Sequence, residues 1–489
     1  MRSIRAEPRP AGKYYTIPKA CCKSKLAQLP YNQGMTFLTI LSLILTAFVL
    51  LFFGGFALAS LREKETRAAL VAGIFTLLTT AIFLLAAFLS PLLQVWILGL
   101  STAMLLLFIL AFLLPIGKVH HKLEQASSPI DERRVVFSRN QLQPGSQAYT
   151  EYYQQHPLDL PKDDLWRVNP GLLSPYADFA EPYTFAAATA SFDLLKLLAS
   201  GADGPVASKK HALAPAAASA YIKSLAKYYG ALEVGICLLN PNYVYTHHGR
   251  GPDPYGQPID LHHHYAIAMT FEMKADMIAA NPRPPGIMET GHMYLESART
   301  ALQLAAAIRN LGYPARAHFE GNYQVIAPPI ARDAGLGELG RMSLLMTPRL
   351  GPRVRLAVVT TDLPLQPDQP TLDPSVIDFC NICKKCARTC PSQAISFEDR
   401  QVSNGALRWR INPEACYTYW TQTGTDCGRC MSVCPYAHAD GFYHRIIRWG
   451  IRKSGFFRRA ALLMDDLFYG KNPPARSAPA WTKPSNKKA

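Results

Sequence analysis

The sequence predicts three parts in series: an all-α membrane segment of three helices, an α/β domain on a central sheet, and a compact cysteine-rich module. Three observations predict this order. The 489-residue chain is 49% hydrophobic but only 18% charged, and the apolar excess sits in its first quarter. Ala-rich helical stretches then alternate with short apolar strand candidates. Eight of the eleven cysteines fall between Cys380 and Cys434.

Residues 36–60 (TFLTILSLILTAFVLLFFGGFALAS) carry no charge and exceed the roughly 20 apolar residues needed to cross a bilayer. A short charged loop with Arg62, Glu63, Lys64, Glu65 and Arg67 follows. Apolar runs at 70–90 and 92–116 come next, separated only by Ser90-Pro91 and their neighbours, so they read as a helical hairpin. Three runs in series exclude a lone cleaved signal peptide. The segment 118–145 is a polar linker with turn signals at Ser128-Pro129 and Pro144-Gly145.

From 146 to 368 the helical stretches Ala186–Ala199, Ala214–Tyr229 and Ser297–Asn310 alternate with strand candidates at Leu232–Leu239, Tyr265–Glu272, Arg316–His318 and Val354–Thr360. Such alternation leaves an α/β or an α+β domain open. The segment Gly335-Leu-Gly-Glu-Leu-Gly340 has the letters of a dinucleotide fingerprint, with Asp362 downstream. No strand directly precedes it, so a nicotinamide cofactor is not expected. The run His262-His263-His264 alternates between faces of an extended strand, which disfavours a metal site.

The module at 369–440 has the most specific pattern. Its first set reads Cys380-x2-Cys383-x2-Cys386-x3-Cys390-Pro391, and its second Cys416-x10-Cys427-x2-Cys430-x3-Cys434-Pro435. Two-residue gaps wrap three thiolates around one cubane, while the fourth Cys, before Pro, reaches the other cubane. Two [4Fe–4S] clusters are therefore expected. One takes Cys380, Cys383, Cys386 and Cys434, the other Cys416, Cys427, Cys430 and Cys390. This is not a zinc spacing. Cys21, Cys22 and Cys237 stand outside the pattern, with Cys237 in an apolar strand.

Three spans put the two ends of the chain on opposite sides. The positive charges are nearly balanced: seven Lys or Arg in the basic tail 1–35, three in the 62–67 loop, and Lys118, Lys122, Arg133 and Arg134 beyond the third run. Clusters are loaded in a reducing compartment, and no twin-arginine pair precedes the first span. The expectation is a multi-pass inner-membrane protein with its large part in the cytoplasm. The net charge of +16 suits an anionic lipid surface, and nucleic acid is not an expected partner. In the basic tail 441–489, Tyr443–Arg459 interleaves cations with Ile, Trp and Phe. It reads equally as an interfacial helix or as a helix packed on the module.

Several elements together resemble the corrinoid-dependent reductive dehalogenases. They are Trp166-Arg167, Gly230–Ile236, Asn240-Pro241, Val244-Tyr245, Leu311-Gly-Tyr313, Gly335–Arg341, Gly351–Arg355, Thr361–Leu365 and Asp378-Phe379-Cys380. The resemblance covers roughly 150–470. It implies a nitroreductase-like fold that holds cobalamin base-off beside a ferredoxin-like module. No Asp-x-His-x-x-Gly motif is present, in keeping with the lack of a protein ligand to cobalt. The implied reaction is reductive cleavage of a carbon–halogen bond in an organohalide, fed by a low-potential electron donor.

The implied catalytic residues are Tyr294 as proton donor, Arg355 as the cation that lowers its pKa, and Asn322 as a pocket amide. Gly335, Gly337, Gly340 and Arg341 are the implied cofactor-binding residues. Two other readings stay open: one of a different class, a membrane-bound iron–sulfur electron-transfer protein that does not dehalogenate, and an enzyme with the same cofactors like the related epoxyqueuosine reductases.

Overall fold

A computed structural model describes residues 31–89, 91–114, 124–370 and 372–484. The expectations on Cys21, Cys22, Ser90, Lys118, Lys122 and the charges before residue 31 fall outside these residues.

Helices α1 (Tyr31–Arg62), α2 (Thr66–Leu89) and α3 (Pro91–Leu113) are each long and apolar enough to cross a membrane. Their outward residues, such as Phe48, Leu51, Leu77 and Leu107, are exposed, while the contacts between them use small residues. Ser42, Ser60, Ala68, Ala72 and Thr76 are buried there, and the hydroxyls of Thr46 and Thr76 donate to Ser42 O and Ala72 O at 2.8 and 2.7 Å. Small residues let apolar helices approach without a hydrophobic drive between them.

Short helices α4 (Val136–Arg139), α5 (Gln147–Gln155) and α6 (Leu160–Arg167) lead to α7 (Pro182–Leu198) and α8 (Pro215–Tyr228). Strands β1 (Glu233–Leu238) and β2 (Tyr265–Glu272) follow, then α9 (Ala275–Ala279), α10 (Pro285–Asn310), β3 (Ala315–His318), α11 (Ala327–Asp333), the small pair β4 (Glu338–Leu339) and β5 (Leu345–Met346), and β6 (Val354–Thr361).

The main sheet has the order β1-β2-β6-β3, and every neighbouring pair is antiparallel. The domain is therefore α+β, correcting the α/β class; the spacing of helices and strands does not reveal strand direction. Ile267, Met269 and Val359 pack against Ile222, Ala301 and Leu304 of α8 and α10 on one face. Ala266, Ala268 and Val358 pack against Ile330 and Ala331 of α11 on the other. A Cβ at Gly235 would lie 2.2 Å from Ala334 O, so β1 approaches the end of α11 only because this residue has no side chain.

The module comprises α12 (Pro374–Cys383), α13 (Lys385–Arg388), the hairpin β7 (Gln401–Ser403) and β8 (Ala406–Arg408), α14 (Pro413–Thr423) and α15 (Arg429–Ser432). The ten residues between Cys416 and Cys427 are mostly the rest of α14, not a loose loop. Two amphipathic helices, α16 (Phe442–Lys453) and α17 (Gly455–Phe468), join this module to the apolar bundle. Ile447 and Ile451 face the module core. On the other side Tyr443 meets Phe52 and Phe56, Trp449 stacks on Phe112, and Phe456 and Phe457 meet Phe108. The segment forms two helices, and of its two readings the packing on the module is the one seen, joined by contacts with the apolar bundle.

Candidate functional site

The eight module cysteines form two neighbouring groups. Burial holds the Cys434 thiol well above its ordinary value, and Cys380, Cys383 and Cys386 add to the effect. Burial does the same at Cys430, with Cys427, Cys386, Cys416 and Cys390 adding. Burial with Cys390 beside it pushes Cys416 up to about 11, and burial with Cys416 and Cys390 nearby pushes Cys427 up to about 12. These neighbours include the thiols that the crosswise assignment brings together, with Cys386 acting on Cys430 as well.

The loops curl by the same device. The residue after the second cysteine is left-handed in both, Lys384 at φ 54° and Gly428 at φ 60°. Among the described residues no three His, Cys, Asp or Glu side chains converge closely enough to hold a single metal ion.

Two cavities lie between the sheet domain and the module. One is about 900 Å³ including its mouth and is lined by Phe137, Tyr245, Arg250, Tyr294, Tyr323 and Arg355, among others. The second, about 950 Å³, shares Ile326 and Pro328 with it and reaches Tyr243, Arg332, Gly340 and Trp409. Met431, next to Cys430, lines the first cavity. None of the residues lining either cavity is a His or a Cys.

Tyr294 and Arg355 meet in the first cavity. Arg355 lies on β6 opposite Phe271, and α10 carries Tyr294 across it. The Arg355 guanidinium sits 4.5 Å from the centre of the Tyr294 ring, and its Nη1 donates to the phenol oxygen at 3.3 Å. Its Nη2 donates to Thr290 Oγ1 at 2.5 Å and to Asp426 Oδ2 at 3.0 Å, and Thr290 donates to the same carboxylate at 2.6 Å. Asp426 immediately precedes Cys427, so a chain of contacts runs from the pocket to a module cysteine.

Burial raises the Tyr294 pKa above its ordinary 10.0 and outweighs the lowering by Arg355. The expected depression of the tyrosine is thereby corrected: desolvation of the phenolate is the larger effect.

Asn322 is not in this pocket. Its amide oxygen accepts from Arg316 at 2.8 Å and its nitrogen donates to Ala199 O at 2.9 Å, closing the turn after β3. The neighbouring Glu320 and Tyr323 line the cavity instead. Of the implied cofactor-binding residues, only Gly340 lines a cavity; Gly335 and Gly337 turn the chain between α11 and β4. Arg341 is fully buried elsewhere: it donates to Cys380 O at 3.2 Å, Ser396 O at 2.7 Å and Glu398 O at 2.8 Å, and lies over Trp409. It clamps the module rather than lining the pocket.

The three histidines diverge, His262 to Asp260, His263 to Thr360 and His264 to Asp362. Sequence reasoning assigned no role to Tyr245, Arg250, Glu320, Tyr323, Thr290 or Asp426. Tyr245 and Asp426 lay beside quoted motifs, but only the fold shows what they face.

A family profile described as a 4Fe-4S dicluster domain matches residues 379–438. The tetrachloroethene reductive dehalogenase of Sulfurospirillum multivorans is 35% identical over 285 residues, covering 51% of this chain and 56% of that protein. A solved structure described as a reductive dehalogenase that suggests a mechanism for B12-dependent dehalogenation superposes with a TM-score of 0.56 at 30% identity, covering 63% of this chain and 46% of the other. A catabolic reductive dehalogenase, NpRdhA, in complex with 3-bromo-4-hydroxybenzoic acid gives a TM-score of 0.55 at 31% identity, covering 58% and 42%.

The chain is a homologue of the reductive dehalogenases. It spans about half the length of the relatives it matches. The 4Fe-4S match falls on the two cysteine loops.

Proposed function

We propose that the protein is a membrane-anchored reductive dehalogenase, in which a nitroreductase-like domain holds cobalamin and the module carries two [4Fe–4S] clusters. The observation that carries the reading is the chain Tyr294–Arg355–Asp426, which joins a pocket acid to the residue before Cys427. On this reading Cys380, Cys383, Cys386 and Cys434 hold one cluster, and Cys390, Cys416, Cys427 and Cys430 the other.

The donor sets fit. Iron binding overcomes the burial that raises these thiols, because a coordinating thiol is deprotonated outright. The two cavities share Ile326 and Pro328, and among the described residues their walls carry aromatic, aliphatic and cationic side chains that would hold a large flat polar-rimmed group. When bound, the corrinoid supplies the reduced metal that cleaves the carbon–halogen bond, and the clusters supply single electrons.

The chain's own residues do the rest. Tyr294 keeps its proton at the phenol oxygen and delivers it to the carbon that loses halide. Arg355 sits against that oxygen and stabilises the charge left behind, while Asp426 and Thr290 fix the guanidinium. Tyr245, Tyr323 and Phe137 wall the pocket and restrict water. The three apolar helices span the inner membrane, with the sheet domain and module on the cytoplasmic side, where clusters are loaded.

The test is halide release from a panel of organohalides by the anaerobically purified holoprotein with reduced viologen. Iron, sulfide and cobalt are assayed on the same sample. A corrinoid-loaded protein that released no halide from any member would overturn the reading. Protease protection in intact and opened spheroplasts tests the side: the sheet domain should be cut only after opening.

A further inference from the structure

A third cavity lies where the apolar bundle meets the module. It encloses about 760 Å³ including its mouth. One wall is Phe52, Phe53 and Phe56 of α1, on a helix whose outer residues Phe48 and Leu51 are exposed apolar surface. The opposite wall includes Phe379 and Pro435, which directly neighbour Cys380 and Cys434.

Two imidazoles line the cavity, and each is held by a carboxylate. His438 Nε2 is 2.8 Å from Asp465 Oδ1, and His444 Nε2 is 3.2 Å from Glu63 Oε2. The two rings stack at 5.0 Å, and Tyr469 lies 4.0 Å from the His438 ring. The buried Tyr469 hydroxyl has no hydrogen-bond partner among the described residues. Lys385, which lies between Cys383 and Cys386, pairs with Asp465 and with Asp466, so the polar cluster is joined to the first cysteine loop.

An apolar slot walled by three phenylalanines of a membrane-length helix selects a flat, lipid-soluble ligand. Two carboxylate-bound imidazoles and a free phenol at its end select one that carries two exchangeable protons or two carbonyl oxygens. The neighbouring cysteine loop selects one that gives electrons. We propose that this cavity is the oxidation site for a membrane quinol, with His438 and His444 as its proton acceptors.

The step balances as follows. The quinol loses two electrons and two protons and becomes the quinone. The electrons leave one at a time through the Cys380–Cys434 side of the module, and the protons pass to the His438–Asp465 and His444–Glu63 pairs. Against one organohalide, one quinol then yields quinone, the hydrogen-substituted product, halide and one proton. The proposal rests on the dehalogenase reading for that final acceptor, but not for binding. Burial favours the neutral form of His444, and the Glu63 carboxylate beside it works in the other direction by stabilising the charge of a proton taken up there.

The test is photolabelling of the full-length holoprotein in lipid nanodiscs with an azido-naphthoquinone. Label is expected in the peptides that hold His438–Arg448 and Phe468–Gly470, competed away by unlabelled naphthoquinone. His438→Gln with His444→Gln should weaken labelling at least tenfold. Phe53→Trp, which enlarges a wall residue whose ring packs on Phe52 and Phe75, should do the same, with iron and sulfide content as the folding control for both. Label that falls elsewhere, or that persists in both variants, overturns the proposal. The readout is binding, so it stands or falls independently of whether halide is released.

Discussion

Tyr294 and Arg355 carry the sharpest expectations at the scale of single residues. Tyr294→Phe removes one oxygen and leaves the ring that lies against the guanidinium. Halide release should fall by about 10²-fold or more, the usual contribution of a positioned acid, while iron and cobalt contents stay unchanged. The pH profile should reflect the raised phenol. A tyrosine that acts as an acid is competent while protonated, and its pKa here lies above 10.0, so its loss cannot produce a falling limb below about pH 10. A pH–rate profile of viologen-driven turnover that fell near pH 8 with an unchanged limb in Tyr294→Phe would place that limb on another group. A fall abolished by the substitution would contradict the burial argument.

The resemblance pointed to both residues, Arg355 within Gly351–Arg355, and the fold brings the two side chains into contact. Asn322 was not placed correctly, because the turn after β3 uses its amide to tie Arg316 and Ala199. Sequence spacing carries no information on which side chain a turn consumes. Nor does it weigh desolvation against a neighbouring cation, which is why the direction of the Tyr294 shift needed the fold.

At the scale of elements, the helices and strands followed from periodicity, whereas their direction and ends did not. The stretch Ser297–Asn310 was the readable part of α10. The helix begins twelve residues earlier at Pro285, where Gly286 and Gly291 weaken the helical signal. Those glycines serve packing: a Cβ at Gly291 would lie 3.2 Å from Phe192 and 3.3 Å from Ala188 O of α7. As a result Tyr294 sits well inside a helix and not at its start.

Close approach also governs β1. Gly235→Ala should cost about 1–3 kcal/mol, because the strand must move off Ala334 O. Thermal melting of the detergent-solubilised protein would measure it. A melting temperature equal to that of the parent would show that α11 yields without cost.

At the scale of the whole molecule, three cores meet. The sheet domain has apolar cores on both faces of its sheet, and the bundle has its small-residue seam. The module core is largely cysteines and the residues that pack on them. Metal binding and folding are coupled in such a core. Stripping iron with a chelator under oxidising conditions should therefore raise hydrogen exchange across 374–440 and through α16 and α17, while β2 and β6 stay protected. Mass-spectrometric exchange would check this. Protection retained in 374–440 without iron would show that the module folds on its own. The division into a bundle, a sheet domain and a cysteine module was visible in composition and spacing alone. The way α16 and α17 bridge two of these parts was not, since the same basic amphipathic pattern serves a lipid surface, a protein surface or both.

Arg341 has one more consequence. Its guanidinium is shut away from water and grips three carbonyl oxygens of the module, while its backbone belongs to the segment that edges the second cavity. Tunnelling rates fall exponentially with separation, so a donor that rocked against its acceptor would deliver charge erratically. On the proposed reading, a joint held this way would keep the module's clusters at a steady distance from a group in that cavity.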